Sequence, residues 1–139
     1  MADRKPKAGD TVSFSKTISE SDVYLFAGIT GDLYEIHVNK QFAEKTPMGR
    51  QIAHGVLSLG LASTVATNIQ KKYDYWASAV LYGYDKVRFT KPVFFGDTLT
   101  ATQTVTEFDE ATGKMVSKVE IINQSGETVL AAQCLQKFV

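Results

Sequence analysis

His54-Gly55-Val56-Leu57-Ser58-Leu59-Gly60-Leu61-Ala62-Ser63-Thr64-Val65-Ala66-Thr67-Asn68-Ile69-Gln70-Lys71-Lys72 has the length of a long helix, and its apolar or small residues fall on nearly every face. A helix of that composition is buried on most sides. Gly55, Ser58, Gly60, Ala62 and Ser63 permit close backbone approach, as expected of a helix wrapped by a sheet. Gly60 costs about 1 kcal/mol relative to alanine in a helix interior, so packing or function must offset it.

The residues after this segment supply the sheet. Ala77 to Phe89 is rich in Val, Tyr and Leu, Pro92 and Gly96-Asp97 punctuate, and Thr98 to Phe108 alternates threonine with apolar residues. Ala111-Thr112-Gly113-Lys114 reads as a turn, Met115 to Asn123 as a strand, Ser125-Gly126 as a turn, and Thr128 to Phe138 as a last strand. Before the central segment, Thr11 to Ile18 suggests a short strand. Ser19-Glu20-Ser21-Asp22 then forms a capping box for a helix through about Ala27, burying Val23, Leu25 or Phe26 and ending near Gly28 or Gly31. Asn39 caps a second short helix through Phe42 and Ala43, stopped before Pro47-Met48-Gly49. Helices early and an antiparallel meander late give an α+β fold, with one long central helix against a curved sheet.

The chain has 139 residues, and no composition break marks a second domain, so residues 1–139 are read as one domain with residues 1–10 a flexible N-terminal segment. A hydrophobic content of 44% and a formal net charge of zero leave no electrostatic footprint for nucleic acid. The polar opening lacks the apolar stretch of a secretory signal, and no run is long enough to span a bilayer, so no membrane partner and a cytoplasmic location are expected. Cys134 is the single cysteine and lies in an apolar segment, which excludes an intramolecular disulfide and suggests a buried, inert thiol.

Both histidines fall in polar breaks between apolar segments, in Gly31-Asp32-Leu33-Tyr34-Glu35-Ile36-His37-Val38-Asn39 and in Ala53-His54-Gly55-Val56-Leu57. Free Asp titrates near about 3.9 and free His near about 6.5, so Asp32 and His37 offer a base and a proton carrier in the physiological range. Their spacing in a loop does not by itself make them converge, and Gly31-Asp32 also reads as a turn or helix cap. His54-Gly55 has two readings: a helix-end hydrogen bond, or amides at the helix start, Gly55 above all, that receive a carbonyl oxygen as it gains charge. Two histidines with Asp32 raise the idea of a metal site, but the spacing matches no familiar ligand pair and no cysteine assists, so no metal is expected. Ser58 and Ser63 lie inside the helix without a nucleophile-elbow pattern.

Phe26-Ala27-Gly28-Ile29-Thr30-Gly31-Asp32 followed by His37, Ile52-Ala53-His54-Gly55, and Arg88-Phe89-Thr90-Lys91-Pro92-Val93-Phe94-Phe95-Gly96-Asp97 together resemble the MaoC-like (R)-specific enoyl-CoA hydratases, a branch of the hot-dog fold. The resemblance runs from about Val12 to the C-terminus. It implies a sheet wrapped around the Val56 to Ile69 helix, subunits paired into a homodimer or dimer of dimers with active sites at the interface, and an acyl thioester of coenzyme A as substrate. By position it implies Asp32 as catalytic carboxylate, His37 as catalytic imidazole, Ser63 as the serine orienting that carboxylate, and Gly55 as the oxyanion amide. The implied reaction adds water to a trans-2-enoyl thioester, or removes it, with no metal or redox cofactor.

The chain departs from the family's usual Asp-x-Asn-Pro-x-His loop: Tyr34 stands for the asparagine and Glu35 for the proline. Glu35 is expected to face solvent, because an uncompensated buried carboxylate is costly. Tyr34 bears on the acyl pocket, whereas Tyr73, Tyr75, Trp76 and Tyr82 are expected in core or dimer packing. Two other readings stay open: a hot-dog acyl-CoA thioesterase, and an acyl-thioester-binding or scaffolding subunit whose altered loop has lost activity.

Overall fold

In a computed structural model describing residues 4–139, alternation along β3 (Thr98–Asp109) decides which side of the sheet is wet. Leu99, Ala101, Gln103 and Val105 are buried. The intervening threonines point the other way and pair, hydroxyl to hydroxyl, with β1 (Thr11–Thr17): Thr11 with Thr104, Ser13 with Thr102, Ser15 with Thr100 and Thr17 with Thr98, at 2.7–3.1 Å. Cross-strand pairs of this kind fix register as well as adding stability.

β2 (Ala79–Phe89), β4 (Lys114–Ile122) and β5 (Thr128–Phe138) complete an antiparallel sheet in the order β1-β3-β4-β5-β2. The meander is β3-β4-β5, and β2 pairs with β5 on its far side. The central helix α4 (Gly55–Gln70) touches all five strands. Five strands spaced about 4.8 Å span roughly 19 Å, more than the 10–12 Å or so of a helix. The sheet must therefore curl around α4, which is the hot-dog arrangement.

Leu61, Ala62, Val65 and Ala66 of α4 pack against Leu99, Ala101, Val119, Ile121, Leu130 and Ala132. One polar knot sits inside. Gln136 Nε2 donates to Ala66 O (3.0 Å) and Gln70 Oε1 (2.9 Å), while its Oε1 accepts from Gln103 Nε2 (2.9 Å). Cys134 is buried without a disulfide, and burial pushes its thiol up to about 12.

Ahead of the core lie α1 (Glu20–Thr30), α2 (Glu35–Val38) and α3 (Lys40–Glu44). The expected capping box starts α1: Ser19 Oγ accepts from Asp22 N, and Asp22 reaches back to Ser19 N. Val23 and Ala27 are the buried positions of α1, so of the three residues offered for burial Val23 is the one that is buried, Phe26 is half-buried and Leu25 is 64% exposed. Tyr73 is a core residue, whereas Tyr75, Trp76 and Tyr82 are exposed.

Gly60 also differs from expectation, for it faces outward and nothing lies within 4 Å of where a Cβ would be. Its small size serves no packing within the chain. The segment expected to be flexible is anchored over its described part: Arg4 N donates to Asp74 Oδ2, Gly9 N to Val105 O, and Tyr73 Oη to Asp10 Oδ2. Residues 1–3 lie outside the described residues. Among the described residues no helix is long and apolar enough to cross a membrane.

Candidate active site

α1 ends at Gly31, whose φ of 78° is left-handed. That conformation costs other L-residues about 1–2 kcal/mol, so the turn calls for glycine. Thr30 Oγ1 donates to Phe26 O (2.8 Å) and accepts from Asp32 N (3.2 Å), which fixes how the chain leaves the helix. Asp32 Oδ1 then accepts from Tyr34 N (3.3 Å), and the carboxylate stays 55% exposed.

The stretch read as a loop contains the single helical turn α2, and this turn carries His37 inward until it is 8% exposed. His37 Nδ1 lies 2.7 Å from Ile52 O. A carbonyl oxygen only accepts, so Nδ1 carries the hydrogen and Nε2 keeps its lone pair. Burial pushes the His37 imidazole below the ordinary 6.5, and His54 acts in the same direction, against the Ile52 carbonyl and the Asp32 carboxylate. The ring is therefore a neutral base near pH 7.

The segment that receives His37 is itself held from two sides. Gln51 Nε2 donates to His37 O (2.8 Å), and Ala53 N donates to Val93 O (2.8 Å). Val93 belongs to the strand-and-turn motif singled out in the sequence, where Asp97 Oδ2 accepts from Phe94 N and Asp97 Oδ1 from Gln124 Nε2. That motif backs the start of α4.

His54 is the N-cap of α4, but its side chain makes no capping bond. It turns instead toward the loop, 3% exposed, with Nε2 3.0 Å from Asp32 O and 4.0 Å from Asp32 Oδ2. Its ring stacks on His37, centroids 3.8 Å apart and planes at 27°. Phe26 backs His54 at 4.7 Å, and Tyr34 meets His37 at 5.6 Å and 80°. Sequence reasoning missed this packing. The available signal was that His54, Ser58, Ala62 and Ala66 share one helical face, and all four are buried.

Asp32, His37 and His54 offer ligand atoms that all lie within 4.8 Å of one another. His37 Nδ1 and His54 Nε2 are, however, already engaged by the Ile52 and Asp32 carbonyl oxygens, so the arrangement suits hydrogen bonding better than a shared ion. A single water with two hydrogen bonds of roughly 2.8 Å can bridge a gap of this size.

Gly55 opens α4, where first-turn amides have no intrahelical acceptor. A Cβ there would lie 2.8 Å from Phe89 Cδ1 and 2.9 Å from Cγ, so the Phe89 ring occupies the space that any other residue would need. Beside it is a cleft of about 360 Å³ lined by Met48, Gly55, Val56, Ser58, Phe89 and Val93 among others. Ser58 Oγ is buried there without a partner. Asp32 and His37 do not line this cleft. Ser63 lies on the exposed face of α4, away from Ser58, and Glu35 is exposed.

The model of the family described as "MaoC like domain" matches residues 3–128. The chain is similar to the (R)-specific enoyl-CoA hydratase of Rhodospirillum rubrum, 44% identical over 101 residues that make up 72% of this chain and 66% of that protein. It is 30% identical to 3-hydroxyacyl-thioester dehydratase Z of Mycobacterium tuberculosis over 145 aligned positions, 100% of this chain and 95% of the other. The solved structure of the (R)-hydratase from A. caviae involved in PHA biosynthesis superposes with a TM-score of 0.86 at 26% identity, covering 96% of this chain and 98% of that one. The chain thus spans just under two thirds of the Rhodospirillum relative and nearly all of the other two.

Proposed function

The chain belongs to the MaoC-like domain family, and from that premise we propose that it hydrates trans-2-enoyl-CoA to (R)-3-hydroxyacyl-CoA, or runs the reverse dehydration, as a cytoplasmic homodimer. The observation that carries this reading is the meeting of the Asp32 carboxylate with a His37 ring whose Nδ1–H is tied to Ile52 O. A water bridging Asp32 and His37 Nε2 gives up a proton to Asp32 as its oxygen bonds to the β-carbon. The double-bond electrons move toward the thioester carbonyl, and the proton returns from Asp32 to the α-carbon. No metal or redox group enters this sequence.

General acid–base help of this kind contributes roughly 10²- to 10⁴-fold. Gly55 N–H is the proposed donor to the thioester oxygen, an interaction worth about 2.7–4 kcal/mol in comparable sites. Support for a second subunit comes from β2, an edge strand with Val80, Leu81 and Tyr82 exposed, because apolar unpaired edges are normally covered. The exposed face of α4, carrying Val56, Gly60 and Ser63, supports it too. Ser63 makes no hydrogen bond to Asp32 within the chain, so its proposed orienting role requires that assembly.

The test incubates the protein with short and medium trans-2-enoyl-CoA, follows loss of the conjugated thioester absorbance and determines product chirality. Release of free coenzyme A without hydration would assign a thioesterase instead. Asp32→Asn is near-isosteric and removes the base, so turnover should fall at least about 10²-fold with the fold intact. Wild-type turnover in that variant would overturn the role of Asp32.

A further inference from the structure

We propose that His54 is a positioning residue of this site, fixing the Asp32 backbone through its ring N–H and holding the His37 ring in plane by stacking. The proposal rests on the hydratase reading above. It begins from a misfit in the local sequence: N-caps favour Ser, Thr, Asp or Asn, whose side chains accept a first-turn amide bond. His54 occupies that position without making the bond, so helix formation does not explain it.

What the ring does instead is specific. Asp32 sits on an exposed turn, and a mobile turn would let the carboxylate wander from the water it has to hold. His54 Nε2–H, donating to Asp32 O at 3.0 Å from a residue that is 3% exposed, ties that turn to the start of α4. The same ring lies between Phe26 at 4.7 Å and His37 at 3.8 Å. His37 is thereby prevented from rotating away, while Ile52 O holds its Nδ1–H.

Charge adds a second constraint. His54 Nδ1 is buried without a hydrogen-bond partner, so a proton placed there would find no acceptor. The titratable groups around the stacked pair are Asp32 in the loop, Tyr34 against His37, and the two imidazoles themselves, with Glu35 of α2 in solvent. The two rings are 3.8 Å apart, and the His54 ring disfavours a positive charge on His37. His54 thus helps to keep His37 neutral in addition to holding it in place.

Two variants separate these contributions. His54→Phe keeps a planar ring in the stack and removes the N–H, whereas His54→Gln keeps an N–H donor and removes the ring. Activity against pH, thermal unfolding and the His37 imidazole signal by ¹⁵N NMR are measured for both. Expected for His54→Phe is a kcat about tenfold lower, the order of one lost hydrogen bond, with KM little changed. His54→Gln recovers part of that kcat. In both, the His37 titration and the acid limb of activity move to higher pH.

The NMR titration needs no turnover, so it decides the His54 role even if no enoyl thioester is hydrated, a result that would sink the hydratase reading alone. Equal losses of thermal stability with kcat and the His37 titration unmoved would overturn the proposal. Should His54→Phe fail to fold, the His37 titration in His54→Gln decides.

Discussion

Gly55→Ala separates the fold's tolerance at the start of α4 from the chemistry proposed there. The added methyl would stand 2.8–3.1 Å from three carbons of the Phe89 ring, against ordinary carbon contacts of about 3.5–4.0 Å. The ring must therefore retreat by several tenths of an ångström. Phe89 is 51% exposed, so it has room to swing outward. Overpacking costs about 1–3 kcal/mol in a closed core, and this half-open site belongs at the lower end. Alanine returns up to about 1 kcal/mol in helix propensity, leaving a net loss of roughly 0–2 kcal/mol. Catalysis should suffer far more, because a methyl beside the amide bars the thioester oxygen from a donor worth about 10²–10³ in kcat. Urea unfolding and enoyl-CoA hydration are measured on the same preparations, alone and with Phe89→Ala. Phe89→Ala should restore stability to the Gly55→Ala background without restoring turnover. A folded Gly55→Ala enzyme with wild-type kcat would refute the oxyanion assignment, and recovery of turnover in the double variant would place the defect in Phe89.

Glu35→Pro should be tolerated, because Glu35 is the first residue of α2, where proline fits, and Tyr34 already has the extended ψ of 127° that a residue before proline adopts. Stability should rise by about 0.4–1 kcal/mol in urea unfolding, and turnover should stay within about tenfold. For pH, the lowered His37 pKa means that the unfolded chain binds the proton more readily. That contribution to stability is complete above the unfolded value of about 6.5 and is lost as pH falls below it. Urea unfolding between neutral and mildly acidic pH should therefore show a decline that His37→Gln flattens, and an unchanged slope would contradict the assignment. Asp22, also lowered, acts only in the carboxylate range below its ordinary 3.8, so the two windows are separable. Gln136→Leu strands the buried Gln103 Nε2 and should cost about 2–3 kcal/mol, whereas Gln103→Leu with Gln136→Leu removes both partners and should be less destabilised than the single change.

The long helix, the β3 alternation and the Ser19 capping box were legible because each is a local pattern with one physical solution. α1 was only partly so. Val23, Leu25, Phe26 and Ala27 cover more than one face, and the sequence cannot say whether the Val23/Ala27 pair or the Leu25/Ile29 pair meets the core. The structure buries the first and leaves Leu25 and Ile29 exposed. Gln103 and Gln136 were illegible for another reason: they occupy inward positions of alternating strands, where composition suggests solvent, and their amides are bonded there by each other and by Ala66 and Gln70 of the distant helix α4. The candidate site depended on resemblance for the same kind of reason. His37 finds its orienting acceptor at Ile52, 15 residues on, and His54 bonds to Asp32, 22 residues back. Spacing along a chain carries no information about such closures.

The two departures in the loop now act on different things. Glu35 is in solvent on a backbone already shaped for proline, so it adds charge at the surface and takes little from the site. Tyr34 is placed to matter more, because its ring meets His37 edge-on and also contacts Phe42 at 6.3 Å, lengthening the column Phe26–His54–His37–Tyr34–Phe42. An asparagine at this position would offer an amide where tyrosine offers a ring. The change therefore bears on what can approach His37, and on acyl selectivity if the proposed reaction holds, while the Asp32 turn and the Ile52 anchor behind the proposed acid–base pair do not use the Tyr34 side chain.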